Sequence, residues 1–191
     1  SGILQSQKIV WEQLKKISVS SRLGNAYLFY GPSGNGKEYI AIKFAQMLNC
    51  EKDRGSICGK CSSCKRSETL QHENINLVFP LPTLKNKSSA SVDEFDKSNV
   101  DTITDNIKRK SENPFHKIRV PNANRILIQS IRILRRKLYL KTQNYGRKVV
   151  LVFDAHLLNS GQGEAANAFL KILEEPPSNT TIILVTDHME L

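Results

Sequence analysis

Gly31, Pro32, Ser33, Gly34, Asn35, Gly36 and Lys37 follow one another in the pattern G-x-x-x-x-G-K. Between a strand and a helix, such a loop turns its backbone N–H groups inward around phosphate oxygens, and the positive end of the helix adds to the attraction. Lys37 would reach the outer phosphates. The pattern next calls for Ser or Thr, whose hydroxyl ligates Mg²⁺, but the chain has Glu38, a carboxylate that repels phosphate. The second half of such a site is an acid at the end of a β-strand. A β-branched run over residues 149–153 leads into Asp154, which fits the metal-holding acid. Hydrolytic relatives of this kind need a Glu next, to orient the attacking water. Ala155 stands there and accepts no proton, and His156 reads as a polar strand-end residue. The two departures agree. We expect a degenerate nucleotide site at Gly31, Gly34, Asn35, Gly36, Lys37, Glu38 and Asp154, with no hydrolysis; the alternative is an inherited turn that holds no nucleotide.

The cysteines form a second constellation. Cys50, Cys58, Cys61 and Cys64 are the only four in the chain, spaced C-x7-C-x2-C-x2-C. Four thiolates on tight turns suit tetrahedral Zn²⁺, and C-x2-C steps let N–H groups approach the sulfurs. A bacterial ferredoxin pattern would need a cysteine where Glu68 stands. Disulfides are the competing reading, but nothing in the sequence points to an oxidising compartment. We expect structural zinc, because four protein ligands leave no open position for catalysis.

Positive charge is concentrated too. The 191 residues hold 28 Lys+Arg and 18 Asp+Glu, a formal net charge of +10. Residues 106–148 contain thirteen basic residues against one acid, Glu112, so the remainder is close to neutral. Within that stretch Arg132, Arg135, Arg136 and Lys137 are candidate contacts for DNA or for an acidic partner, since phosphate backbones bind cationic surfaces through counterion release. A solvated helix face, with Ile131, Leu134 and Leu138 packed inward, is the competing reading.

The elements that would position these groups alternate. Helical spacing runs over residues 4–19 through Ile9, Leu14 and Ile17, with Trp11 nearby. Residues 26–30 read as a short buried strand, 37–48 as a helix, 75–79 as a strand and 126–140 as a helix with basic and apolar sides. Strand 149–153, helix 163–175 stopped by Pro176 and Pro177, and strand 181–185 follow. Alternation of this kind predicts an α/β fold, a parallel sheet with helices on both faces. Residues 84–110 are polar. Capping-box spacing from Ser91 to Glu94, then Phe95, Val100, Ile103 and Ile107, predicts a loop followed by a short helix. With 39% apolar and 24% charged residues the composition excludes collagen, coiled coil and wholesale disorder. No apolar run approaches the roughly 20 residues of a membrane-spanning helix, and no secretory signal is visible.

Three segments together carry a resemblance: residues 25–37 through the phosphate loop, the four cysteines after its helix, and residues 165–177, which read A-A-N-A-F-L-K-I-L-E-E-P-P. They look like the clamp loader of bacterial DNA polymerase III, an AAA+ family in which delta-prime and gamma/tau subunits share one P-loop module with a zinc-binding insert. The resemblance implies a five-stranded parallel sheet, a zinc module at about residues 50–66 and a variable polar insert at about 84–112. It places Thr186 at the sensor 1 position. Glu38 and Ala155 make the chain more similar to delta-prime than to gamma/tau, which keep Ser or Thr after the lysine and an Asp-Glu pair. Asn25 replaces a usual His. The resemblance thus implies a cytoplasmic bacterial stator without ATPase activity. Its partners would be the delta and gamma/tau subunits and, through the assembly, the sliding clamp and primed DNA. Because the pattern breaks off after the last strand, residues 1–191 are expected to be an N-terminal AAA+ domain whose helical lid and collar lie elsewhere. A gamma/tau-like ATPase is the alternative within the family, and an unrelated zinc-bearing P-loop protein that binds nucleic acid is the alternative outside it.

Overall fold

The computed structural model describes residues 2–21, 23–53, 55–83, 97–140 and 146–188. Four strands form one sheet: β1 (Ala26–Tyr30), β2 (Ile75–Val78), β3 (Lys148–Val152) and β4 (Thr180–Thr186), in the order β1-β4-β3-β2. All three pairings are parallel. The expected architecture is present, with four strands among the described residues where the resemblance implied five.

Alternation along each strand sends side chains to opposite faces. Val149, Leu151, Phe153, Ile183 and Val185 pack on one side with Trp11, Leu14, Phe44 and Met47. Val150, Val152 and Ile182 pack on the other with Ile131, Leu134, Leu138, Phe169 and Ile172. The first side is covered by α2 (Lys8–Val19) and α3 (Lys37–Leu48), the second by α6 (Ile128–Tyr139) and α7 (Glu164–Glu174). Both are covered because parallel strands, joined by helical crossovers, bury both faces.

Several local expectations change. The first helix is two: α1 (Gly2–Ser6) and α2, broken at Gln7, whose φ is −109° and ψ 34°. On α2 it is Trp11 and Leu14 that are buried, while Ile9 is 78% exposed. Among the described residues β1 has a strand on one side only, β4; Tyr27 and Phe29 pack inward, while Leu28 and Tyr30 are half-exposed, against the expectation of a buried strand. The short helix of the polar segment is α5 (Lys97–Glu112), 16 residues long. Ile103 and Ile107 pack against the core, whereas the Ser91 to Glu94 capping box and Phe95 lie outside the described residues. Between the cysteines and β2 runs α4 (Ser62–Glu68).

Candidate functional site

The phosphate loop joins β1 to α3 as expected. Gly36 caps α3 with φ 84°, a left-handed conformation that glycine adopts without strain. A Cβ there would lie 2.5 Å from Ile3 Cγ2, so α1 rests directly on the loop. Asn35 folds back, its Oδ1 accepting the N–H of Lys37 at 3.1 Å. That amide is one a bound phosphate would otherwise take.

The charged side chains of the loop are all paired within the chain. Lys37, 8% exposed, forms an ion pair with Asp187 and donates from Nζ to the Pro32 carbonyl at 3.1 Å. Asp187, next to Thr186 at the end of β4, also accepts from Lys117 Nζ at 2.7 Å. Burial pushes the Asp187 carboxyl up, but hydrogen bonds from Lys117 and Lys37 outweigh it and hold the group down at about 2. Lys117 Nζ lies 3.8 Å from Asp154 Oδ1 as well. Burial alone would lower the Lys117 pKa, yet the hydrogen bond to Asp187 and the charge of Asp154 raise it overall. Glu38 pairs with Lys110 of α5, whose Nζ also donates to the Pro114 carbonyl at 3.1 Å and lies 5.7 Å from the Phe153 ring centre. The cavity left beside Gly34, Gly36, Lys37, Glu38, Pro114 and Phe115 measures about 20 Å³, room for roughly one water. Small-molecule pockets run to about 300–1,000 Å³.

Asp154 holds φ 50°, a left-handed conformation tolerated by Asp, and starts a 3₁₀ turn (Ala155–Asn159). Ala155 is buried in the core, so its small side chain fits a packing position. His156 Nδ1 lies 3.1 Å from Thr186 Oγ1, which also accepts the His188 N–H at 3.0 Å. Thr186 is thus engaged by its own neighbours.

The four cysteine sulfurs all lie within 4.8 Å of one another, with Cys58 and Cys64 at 3.9 Å. Tetrahedral zinc with bonds of about 2.3 Å needs sulfurs about 3.8 Å apart, so the cluster fits the ion. The N–H groups of Lys60 and Cys61 point at Cys58 Sγ, at 3.5 and 3.4 Å, and lower its thiol pKa to about 6. Gly59, at φ 68°, provides the turn that aims them. The Cys64 N–H points at Cys61 Sγ at 3.3 Å. Burial pushes the Cys64 thiol up, above its ordinary range. The cluster is fastened to the core: Gln46 Nε2 donates to the Cys64 carbonyl at 3.0 Å, and the Ser63 hydroxyl to the Asn49 carbonyl at 2.6 Å. His72 completes the anchor. Its Nδ1 accepts the Asn74 N–H at 3.0 Å, which leaves Nε2–H to donate to Ser63 Oγ at 2.7 Å. Neither Ser63 nor His72 stood out in the sequence, because the bond joins residues nine apart across a turn.

The basic stretch divides. Arg132, Arg135, Arg136 and Lys137 are exposed on α6, with Ile131, Leu134 and Leu138 beneath them as expected. They do not share one side. Arg132 and Arg135 face α7 and line a hollow with Lys171, whereas Lys137 borders an apolar hollow beside α5. Arg132 also lines a groove of about 430 Å³ with Arg125, Gln129 and Gln162, where the first turns of α6 and α7 meet without side-chain caps; Glu164 is its acid. Four other basic residues of the stretch turn inward. Lys110 and Lys117 hold the loop acids, Lys148 donates to the Leu138 carbonyl at 2.6 Å, and Arg147 Nε to Thr181 Oγ1 at 2.6 Å. Arg147 Nη2 also reaches Asn25 Oδ1 at 3.4 Å, which gives the departure at residue 25 a structural partner.

A family model described as "DNA polymerase III, delta subunit" matches residues 6–191. The chain is 26% identical over 181 residues to DNA polymerase III subunit delta' of Pseudomonas aeruginosa, covering 94% of this chain and 42% of that protein. It is 26% identical over 183 residues to subunit delta' of Bacillus subtilis, covering 95% and 40%. Subunit tau of Bacillus subtilis matches at 26% over 181 residues, covering 94% of this chain and 24% of that one. The chain therefore spans about two-fifths of the length of these delta' relatives.

Proposed function

The chain belongs to the DNA polymerase III delta-subunit family, and on that premise we propose that it is the N-terminal AAA+ domain of a delta-prime-like clamp-loader subunit that acts as a stator. In this role it joins the delta and gamma/tau subunits in the bacterial cytoplasm and helps them place the sliding clamp on primed DNA, without hydrolysing ATP. One observation carries the reading: Lys37, the residue that would grip the outer phosphates, is buried and bound to Asp187. Glu38 in place of a metal-binding hydroxyl and Ala155 in place of a water-orienting Glu support it. The tau relative leaves an ATPase as the alternative within the family. A steady-state assay of the full-length protein decides: no turnover is expected, and turnover that disappears in Lys37→Ala would exclude the stator.

The cysteine cluster supports a structural Zn²⁺ held by Cys50, Cys58, Cys61 and Cys64. With four thiolate ligands the ion has no free position, and its role is to tie the turn to α3 and β2.

Contact with DNA is proposed through Arg132 and Arg135, with Arg136 beside them and Arg125 in the adjoining groove; Lys137 faces another way. Two positive helix ends and two guanidiniums converging on one groove suit a phosphate backbone. In the assembled loader on primed DNA, Arg132→Ala with Arg135→Ala should weaken binding for all sequences and reduce the salt slope by about two. An unchanged slope would leave α6 as a solvated face.

A further inference from the structure

The three charged positions of the degenerate nucleotide site are matched by three others of opposite sign. Lys37 meets Asp187, Asp187 and Asp154 meet Lys117, and Glu38 meets Lys110. The set is neutral; beside Gly36 and Glu38 it leaves about 20 Å³, while its outer side at Lys117, Asp154 and Asp187 borders a hollow of about 430 Å³. Two of its members, Lys110 and Lys117, come from one stretch, the end of α5 and the turn after it, and that same stretch puts Pro114 and Phe115 against the loop.

In a working phosphate loop the divalent cation sits between the hydroxyl that follows the lysine and the acid at the end of another strand of the sheet. Here those two positions are Glu38 and Asp154. The Lys110 ammonium pairs with Glu38 and lies 5.7 Å from the ring of Phe153, while Asp154 is met by Lys117, at 3.8 Å, so the two lysines together take the two acids. Its side chain is 1% exposed, and the Pro114 carbonyl takes another of its protons. We propose that Lys110 is an internal replacement for the divalent cation, and that it holds the phosphate loop in a closed, charge-neutral state that admits no triphosphate. The glutamate after the P-loop lysine is then one half of a built-in ion pair rather than a lost metal ligand. Restoring the hydroxyl alone opens nothing, because Lys110 would stay behind as a buried cation.

This rests on the reading of the chain as a non-hydrolysing subunit and explains what keeps the site shut. Calorimetric titration of the full-length protein with Mg-ATP tests it. Wild type should bind none at about 1 mM. Glu38→Thr with Lys110→Met, which removes both halves of the pair, should bind at least roughly tenfold more tightly. The gain should vanish on adding EDTA or Lys37→Ala. A double variant that keeps its circular dichroism spectrum yet gains nothing overturns the assignment of Lys110. A readout on unaltered protein stands beside it. Acetic anhydride should modify Lys110 at least roughly tenfold more slowly than exposed Lys137, with or without Mg-ATP. Equal rates, or acceleration by Mg-ATP, overturn the proposal. ATP turnover by wild type would sink the stator reading instead, whatever Lys110 does.

Discussion

Cys64→Ser is expected to abolish zinc binding and to melt the cysteine turn from the rest of the fold. Cys64 is fully buried, its carbonyl takes the Gln46 amide, and its neighbour Ser63 carries the hydrogen bonds to Asn49 and His72. Loss of the ion therefore releases these anchors together with the sulfurs. Structural zinc is bound by about 10–16 kcal/mol in small metal-dependent folds. If only 3 kcal/mol of that reaches this domain, its Tm falls by roughly 6–12 °C. Elemental analysis should find one zinc per chain in wild type and none in the variant, and a strong chelator should reproduce the fall in Tm. A wild-type protein without zinc, whose melting ignores the chelator, would refute the four-cysteine assignment. The exposed neighbour Lys65→Ala is the control and should change neither reading.

Lys110→Met should be the most damaging single change outside the hydrophobic core and the cysteine cluster. It removes one member of a buried pair and leaves Glu38, 13% exposed, without its cation. Breaking such a pair from one side costs about 3–5 kcal/mol, because the remaining charge stays desolvated, whereas replacing both partners by apolar groups is often near neutral. The expected pattern is therefore non-additive. Lys110→Met and Glu38→Met each lower the urea midpoint strongly, and the double variant recovers most of the loss. Additive losses would mean that the two groups do not depend on each other.

Much of this was legible beforehand. The helix over residues 37–48 is found with the predicted bounds, since its glycine-rich start and apolar spacing are local signals. The four sulfurs likewise converge because short turns bring them together. What escaped was long-range. Lys110 sits in a run of lysines and arginines that reads as a basic surface, and its partner lies 72 positions away. Lys117 and Asp187, 70 positions apart, escaped for the same reason. A residue type shows that a charge exists, while only the fold shows whether water or another charge meets it. The half-exposure of Leu28 and Tyr30 on β1 is similar. The aromatic run reads as a buried strand, but what covers each side chain depends on pairing and packing and not on composition.

That strand order also sets a timetable. Within the described sheet β1 has one neighbour, β4, and Ala26 pairs with Ile182, about 150 residues later in the chain. During synthesis at about 5–20 residues per second, β1 has left the ribosome roughly 8–30 s before its partner exists. For that interval Tyr27 and Phe29 have no β4 to lie beside, and the phosphate loop lacks Asp187 to neutralise Lys37. The phosphate loop and the strand that leads into it are made early and completed only when β4 emerges.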